Sequence, residues 1–124
     1  MIVAGFGFRA QATYASLQSA LERAAPDRAI DAIAAPADKA GAVCISGWAA
    51  DRNLPLHPIS ASELQAISTV TQSAQSIAHR GTGSVAEAVA LAAAGPGARL
   101  LVHRQISQDR LATCAIAIAI GKET

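Results

Sequence analysis

The sequence has 124 residues and a mass of 12.6 kDa, which suffices for a single domain over residues 1–124 but not for two. Apolar residues make up 52% of the chain, but alanine alone contributes 31 residues, and the 3% of aromatic residues exclude a base-stacking platform. Ten Lys and Arg against nine Asp and Glu leave a net charge of +1, which argues against a general nucleic-acid binder but not against a local cationic pocket.

The N-terminal segment predicts a strand followed by a helix. The apolar run Met1–Phe6 predicts a buried strand, and the Gly5–Gly7 segment predicts a tight turn after it. Thr13 is suited to cap a helix that ends before Pro26. The apolar residues of that helix recur at i, i+3, i+4 and i+7, as one buried face requires: Leu17, Ala20, Leu21 and Ala24.

Two more strands and a short helix are expected before residue 68. The first strand is expected over residues 29–33 and the second over residues 54–59. Two prolines interrupt the second strand, which places it at or near an edge of the sheet. Ser60 or Ser62 is expected to begin the short helix.

A helix is also expected between those two strands, with Asp38 as its N-cap. Its glycines, Gly41 and Gly47, would allow the helix to approach the sheet closely. The expected apolar stripe consists of Ala40, Val43, Cys44, Gly47 and Trp48.

The second half of the chain predicts one strong helix and two strands. Residues 73–79 have the length of two helical turns, and Ser84 then begins a helix that ends at Ala94 before Gly-Pro-Gly. Strands are expected over residues 99–106 and 111–120, joined by four polar residues. In the last strand alanines alternate with larger residues, so its alanine face is expected to lie under a helix.

The order of these elements predicts an α/β fold, a single three-layer α/β/α domain. Its five-stranded sheet is expected to be mixed and mostly parallel, and to end in an antiparallel pair because the last connection is short. An uncovered strand edge would also permit a homodimer.

Composition and cysteine usage predict a cytoplasmic protein. No stretch reaches the ~18 apolar residues of a membrane span, and no basic region precedes the N-terminal apolar run. Cys44 and Cys114 lie in apolar periodic segments, as small buried residues of a reducing compartment do. Because the sequence has no CxxC pair or His/Cys cluster, we expect no disulfide and no metal site. We also expect no cofactor.

The first candidate site is the segment from Gly5 to Ala10, which fits the GxGxx[GA] pattern after a strand. Glycines let a backbone approach a ligand closely, and a helix N-terminus favours an anion. A dinucleotide site also needs an acid at the end of the second strand, whereas Asp31 is expected inside it. Arg9 stands where a pyrophosphate would meet bare backbone, so the alternative is a turn without a ligand.

The second candidate site is the segment from Arg80 to Glu87. Ser84 and Glu87 have the S-x-x-E spacing of a capping box, which is the structural interpretation of both residues. Arg80, Gly81 and Gly83 beside a helix N-terminus also form a receptor for a carboxylate or phosphate. The segment lacks the GK[ST] ending of a nucleotide-binding P-loop.

Three segments together resemble the CobE/CbiG C-terminal domain family of cobalamin biosynthesis. They begin with Gly5-Phe-Gly7-Phe-Arg9, continue with Thr71-Gln-Ser73 and end with the segment from Gly81 to Leu91. The resemblance covers nearly the whole chain, and the length is similar to that of stand-alone CobE. CbiG carries an additional N-terminal region and opens a δ-lactone on cobalt-precorrin-5A by hydrolysis, with loss of acetaldehyde.

The resemblance implies a role in corrin-ring construction and assigns Arg9, Lys39 and Glu87 to the shared motif. Glu87 and Lys39 are then candidate catalytic residues, although Gly41 and Ala42 stand where CbiG-like chains tend to carry a further acid. The candidate segments and the resemblance together give these expected ligand-binding residues: Gly5, Gly7, Arg9, Lys39, Thr71, Ser73, Arg80, Gly81, Gly83, Ser84 and Glu87.

A precorrin carries acetate and propionate carboxylates around an apolar macrocycle, so its receptor needs guanidinium groups, backbone N–H groups and small apolar side chains. The expected function is to hold or transfer such an intermediate, with any cobalt arriving inside the ligand. The alternatives are a precorrin lactone hydrolase and an adaptor that docks on other enzymes of the pathway.

Overall fold

Among the described residues, three strands are each followed by a helix, one more helix comes next, and two consecutive strands end the order. The computed structural model of the protein describes residues 1–67, 69, 72, 73, 77 and 84–119. The strands are β1 (Ile2–Phe8), β2 (Ala32–Pro36), β3 (Leu56–Ile59), β4 (Arg99–Ile106) and β5 (Ala112–Ile118). The helices in the described residues are α1 (Tyr14–Ala24), α2 (Val43–Asp51), α3 (Ala61–Ala66) and α4 (Val85–Ala94).

The five strands form one mixed sheet in the order β3-β2-β1-β5-β4. Strands β1, β2 and β3 are parallel, and β5 is antiparallel to both of its neighbours, so β4 runs in the same direction as β1. The β4–β5 turn, residues 107–111, therefore lies at the same end of the sheet as the ends of β1, β2 and β3. We call this the carboxyl end of the sheet. The architecture confirms the expected mixed sheet with an antiparallel end pair.

Helices cover both faces of the sheet, and each face has its own core. On β1, Ala4 and Phe6 face α1 and α2, whereas Val3 faces α3 and α4. Phe6 meets Trp48 of α2 edge-on, with 5.2 Å between the ring centroids. This alternation is the period of two that a strand buried on both faces requires.

Helix α4 lies closer to the sheet than a side chain on β1 would allow. A Cβ atom added to Gly5 would lie 2.6 Å from the backbone nitrogen of Ala90 and 2.7 Å from its Cβ. On the neighbouring strand Gly5 is paired with the fully buried Ala115. The small residues of β1 and β5 thus provide the room for α4, as the alternation of the last strand predicts.

The capping residues expected from the sequence are the N-caps of three helices. Thr13 caps α1 and forms a capping box with Ser16. Ser60 caps α3 and forms a box with Glu63, and Ser84 caps α4. The expected helical turns over residues 73–79 lie outside the described residues, apart from Ser73 and Ile77.

The expectation for α2 is wrong at its start and on its buried face. Residues 37–42 form a turn in which the N–H groups of Lys39 and Ala40 both donate to the carbonyl of Pro36. The helix therefore begins later, and its N-cap is Ala42 rather than Asp38. Val43 is 80% exposed, and the residues that α2 buries are Ile45, Trp48 and Ala49.

The two glycines near α2 do not contact the sheet. Gly47 leaves room for the hydroxyl of Tyr14 on α1, and a Cβ on Gly41 would meet nothing within 4 Å. The close contact that they were expected to allow is made instead by α4 at Gly5.

Two strand predictions need correction. Strand β1 runs through Gly5 and Gly7 to Phe8, because Gly5 and Gly7 pair with residues of β5, so the predicted Gly5–Gly7 turn is wrong. Strand β2 begins at Ala32, three residues later than the expected start. Asp31 precedes it and bonds to the start of β1, with its carboxylate accepting from the N–H of Ile2 at 2.7 Å.

Replacing Gly5 with alanine is expected to lower the free energy of unfolding by about 1–3 kcal/mol, the usual cost of overpacking a core. The measurement is urea unfolding followed by the fluorescence of Trp48, the one tryptophan in the sequence. Gly41→Ala is the matched control, expected to change stability by less than about 1 kcal/mol because its Cβ meets open space. Equal stability of the two variants would contradict the tight α4 contact.

Candidate functional site

A cleft of about 850 Å³ lies at the carboxyl end of the sheet. Its described walls come from the ends of β1 and β4, from the β4–β5 turn and the start of β5, and from the first residue of α4. These elements meet there because β1 and β4 both end where β5 and α4 begin. The described lining residues are Gly7, Phe8, Arg9, Gln11, Ser73, Val85, Arg104, Ile106, Asp109, Arg110, Leu111, Ala112 and Thr113.

Three guanidinium groups line this cleft, from Arg9, Arg104 and Arg110. Arg9 follows β1 and is held by a backbone bond from its N–H to the carbonyl of Leu111 at 2.9 Å. Arg104 lies near the end of β4 and is half-buried, whereas Arg110 occupies the β4–β5 turn with a positive φ of 63°. Guanidinium groups stay charged at any physiological pH and match carboxylates in a two-pronged geometry. The cleft is therefore suited to bind carboxylates.

Asp109 is the carboxylate among the described lining residues, and it connects the β4–β5 turn to α1. Its two oxygens accept from the hydroxyls of Ser16 and Ser107, each at 2.6 Å. The N–H of Leu111 donates to the same carboxylate at 3.0 Å. The Ser107 hydroxyl, then the Ser16 hydroxyl and the Leu111 amide, hold the pKa of Asp109 below its usual range. Asp109 thus fixes the wall that carries Arg110.

Lys39 lies beside the cleft and is not among its described lining residues. Its ammonium group stands 5.1 Å from the centre of the Phe8 ring, and Phe8 itself lines the cleft. This is a cation–π arrangement, in which a cation rests on the negative face of an aromatic ring. The neighbouring thiol of Cys44 is half-buried, and burial raises its pKa.

Ser84 and Glu87 form half of the expected capping box. The hydroxyl of Ser84 accepts from the N–H of Glu87 at 3.3 Å. The carboxylate of Glu87 is fully buried and extends to β4, where it accepts from the backbone N–H of Arg104 at 2.8 Å. Glu87 is not among the described residues that line the cleft.

The cleft brings together several residues that the sequence singled out. Gly7, Arg9 and Ser73 line it, and Ser84 precedes the lining residue Val85. Gly5 does not line it, because this residue lies inside β1 against the backbone of α4. The predicted ligand-binding residues Thr71, Arg80, Gly81 and Gly83 lie outside the described residues.

Sequence reasoning missed Arg104, Asp109 and Arg110. The short turn between the last two strands is visible in the sequence, but its place beside Arg9 depends on the strand order. The turn lies beside the end of β1 because β5 is placed between β1 and β4 in the sheet. The sequence signal that could have indicated these residues is the charged turn after β4. Because β4 is parallel to β1, this turn lies at the carboxyl end of the sheet, where ligands usually bind.

The described residues do not support a dinucleotide site. Such a site needs a glycine turn after β1 and an acid after β2. Instead Gly5 and Gly7 are paired within the sheet, and Asp31 lies before β2, at the end of the sheet opposite the cleft.

The described residues contain neither a candidate metal site nor a membrane-spanning helix. No group of three or more His, Cys, Asp or Glu side chains there could hold a metal ion. None of the helices in this part of the chain has the length and hydropathy to cross a bilayer.

Fold and cleft together define a three-layer α/β domain with a cationic cleft at the carboxyl end of a mixed sheet. Residues 2–117 match the family described as Cobalamin synthesis G C-terminus. The chain belongs to this family and is a CobE- and CbiG-like protein of cobalamin biosynthesis. A comparison with curated proteins finds no match.

Solved structures of cobalamin-pathway proteins are similar to this chain. The structure of CobE, a protein from the cobalamin (vitamin B12) biosynthetic pathway, has a TM-score of 0.87 and 27% identity, over 99% of this chain and 93% of that one. The cobalamin biosynthesis protein chiG from Agrobacterium tumefaciens str. C58 has a TM-score of 0.76 and 32% identity, over 98% of this chain and 100% of that one.

A third structure shows the fold alone. It is a cobalamin biosynthesis protein G homolog from Sulfolobus solfataricus, with a TM-score of 0.73 and 19% identity. The match covers 95% of this chain and 36% of that one, so the same fold occurs there within a longer protein.

Replacing Asp109 with asparagine is expected to flatten the dependence of stability on pH in the acid range. The pKa of Asp109 is lowered on folding, so its carboxylate stabilises the fold above the unfolded-state value near 3.8, and this contribution is lost as pH falls through the folded-state pKa. Urea unfolding between about pH 6 and pH 3 should show a steeper loss in the natural protein. Parallel curves would contradict this role.

Proposed function

We propose that this protein binds a precorrin or another corrinoid intermediate through the carboxylates of the ligand and holds it or hands it on. The observation that carries the proposal is the set of three guanidinium groups around one cleft, in a member of a cobalamin synthesis family. Arg9, Arg104 and Arg110 come from three separate segments that the fold brings to one place.

The chemistry of the cleft matches the two parts of such a ligand. Guanidinium groups bind acetate and propionate carboxylates by charge-assisted hydrogen bonds. The lining also includes apolar side chains, from Phe8, Val85, Ile106 and Leu111. Small-molecule sites commonly combine apolar side chains with convergent charged groups, and this cleft supplies both.

Replacing Arg104 with alanine is expected to weaken binding of hydrogenobyrinic acid about tenfold or more, because a charge-assisted hydrogen bond would be lost. The measurement is a titration of the purified protein followed by the visible absorbance of the ligand. The main chain of Arg104 keeps its bond to Glu87 in this variant.

Arg99→Ala is the matched control for that titration. Arg99 is an exposed arginine on the same strand, but it lies at the start of β4, at the opposite end of the sheet. We expect binding by this variant to be unchanged. Equal weakening by both substitutions would indicate non-specific attraction to positive charge, and no weakening by Arg104→Ala would contradict the proposed site.

The same purified protein separates this function from the two alternatives. Release of acetaldehyde from a lactone-bearing precorrin would assign turnover, and thus a hydrolase, to the chain. Absence of binding to late precorrins and hydrogenobyrinic acid at micromolar protein would favour an adaptor that docks on other enzymes of the pathway.

A further inference from the structure

Strand β4 contains two more residues than the segment of β5 with which it pairs. Leu100 pairs with Ala117 and Val102 with Ile116, so one extra residue lies between these two pairs. The next pair joins Gln105 to Cys114. Gln105 is three residues after Val102 on β4, whereas Cys114 is only two residues from Ile116 on β5. A second extra residue therefore lies in this part of β4, which forms a second β-bulge next to Arg104.

The second bulge determines which residue stands opposite Cys114. Residues that pair across antiparallel strands share one face of the sheet. If the register of Val102 continued unbroken, Arg104 would stand opposite Cys114, which is fully buried in the core beneath α1 and α2. A guanidinium group cannot occupy that apolar position without a large desolvation cost. The bulge places Gln105 there and leaves Arg104 in the wall of the cleft.

A bulge also disrupts the hydrogen bonds of the ladder, so its backbone donors need other partners. The N–H of Arg104 finds its partner in the buried carboxylate of Glu87, at 2.8 Å. Glu87 lies in the first turn of α4, whose cap Ser84 bonds to the N–H of Glu87. The bulge is thus attached directly to α4, whose first residue, Val85, also lines the cleft.

We propose that Glu87 is a positioning residue, which holds the β4 bulge and so keeps the Arg104 guanidinium in the cleft. The inference rests on the proposed function, because it assigns Arg104 a role in binding. It differs from a catalytic role for Glu87, since Glu87 acts through Arg104. Its fully buried carboxylate bonds to a backbone group rather than standing in the cleft wall.

A double-mutant cycle with hydrogenobyrinic acid tests this coupling. Glu87→Ala is expected to weaken binding about tenfold in the natural protein, as Arg104→Ala does, and to cause no further loss in a protein that already carries Arg104→Ala. Equal additional weakening in both backgrounds would overturn the proposal, because Glu87 would then act independently of Arg104. No effect of Glu87→Ala in the natural protein would overturn it as well.

Glu87→Gln separates positioning from acid chemistry and remains informative if Glu87→Ala fails to fold. Glutamine keeps a side-chain oxygen that can accept from the N–H of Arg104, so the affinity should stay within about twofold of the natural protein. A tenfold loss in the folded glutamine variant would overturn the proposal, since the charge itself would then be required.

Hydrogen exchange of the Arg104 amide tests the geometry without any ligand. By NMR, this amide should exchange at least about tenfold faster in Glu87→Ala than in Glu87→Gln, while the amide of Thr113 keeps its rate. Equal rates at Arg104 would overturn the positioning role. If the natural protein binds no corrinoid but the amide behaves as expected, the proposed function fails while the attachment of the bulge to Glu87 stands.

Discussion

The close contact between α4 and β1 at Gly5 is the constraint on which the site depends. Because Gly5 has no side chain, the backbone of α4 at Ala86 and Ala90 lies against the strand. That contact brings the start of α4, at Val85, to the carboxyl end of the sheet beside Gly7. A helix held farther from the sheet would widen the cleft and carry Glu87 away from β4. The small residues at this contact thus determine how close α4 lies to the sheet, and with it the width of the cleft.

Two carboxylates, one exposed and one buried, then connect the other walls to helices. Asp109 joins the β4–β5 turn to α1 through the hydroxyl of Ser16, and Glu87 joins the β4 bulge to α4. Each carboxylate accepts hydrogen bonds from donor groups, which would cost free energy if they were buried without a partner. With these connections in place the arginines of the cleft face a common space. In our proposal, recognition of the ligand's carboxylates depends on Glu87 and Asp109, which hold the segments that carry Arg104 and Arg110.

Local signals in the sequence were enough to predict much of the fold. The Thr13 cap and Pro26 bounded α1, and the bounds of β4 were correct, because these features depend on neighbouring residues. The start of α2 was wrong, since two backbone bonds to Pro36 wind the preceding residues into a turn. Arg9 was singled out because it lies in the GxGxx[GA] segment after the predicted first strand, and it lines the cleft. The place of Arg104 depends on its register with β5 and on Glu87, which lies 17 residues away in sequence, and no local pattern records either.

Mapping of the bound ligand on the protein by NMR tests the central claim most directly. If the arginine-lined cleft binds a corrinoid carboxylate, saturating hydrogenobyrinic acid should shift the backbone amides of Arg9, Arg104 and Arg110. Amides at the opposite end of the sheet should be unaffected. A second groove of about 490 Å³, between α3 and the end of α4, provides the contrasting outcome. Shifts centred there, at Ile67 and Leu91, with the cleft unchanged, would contradict the account.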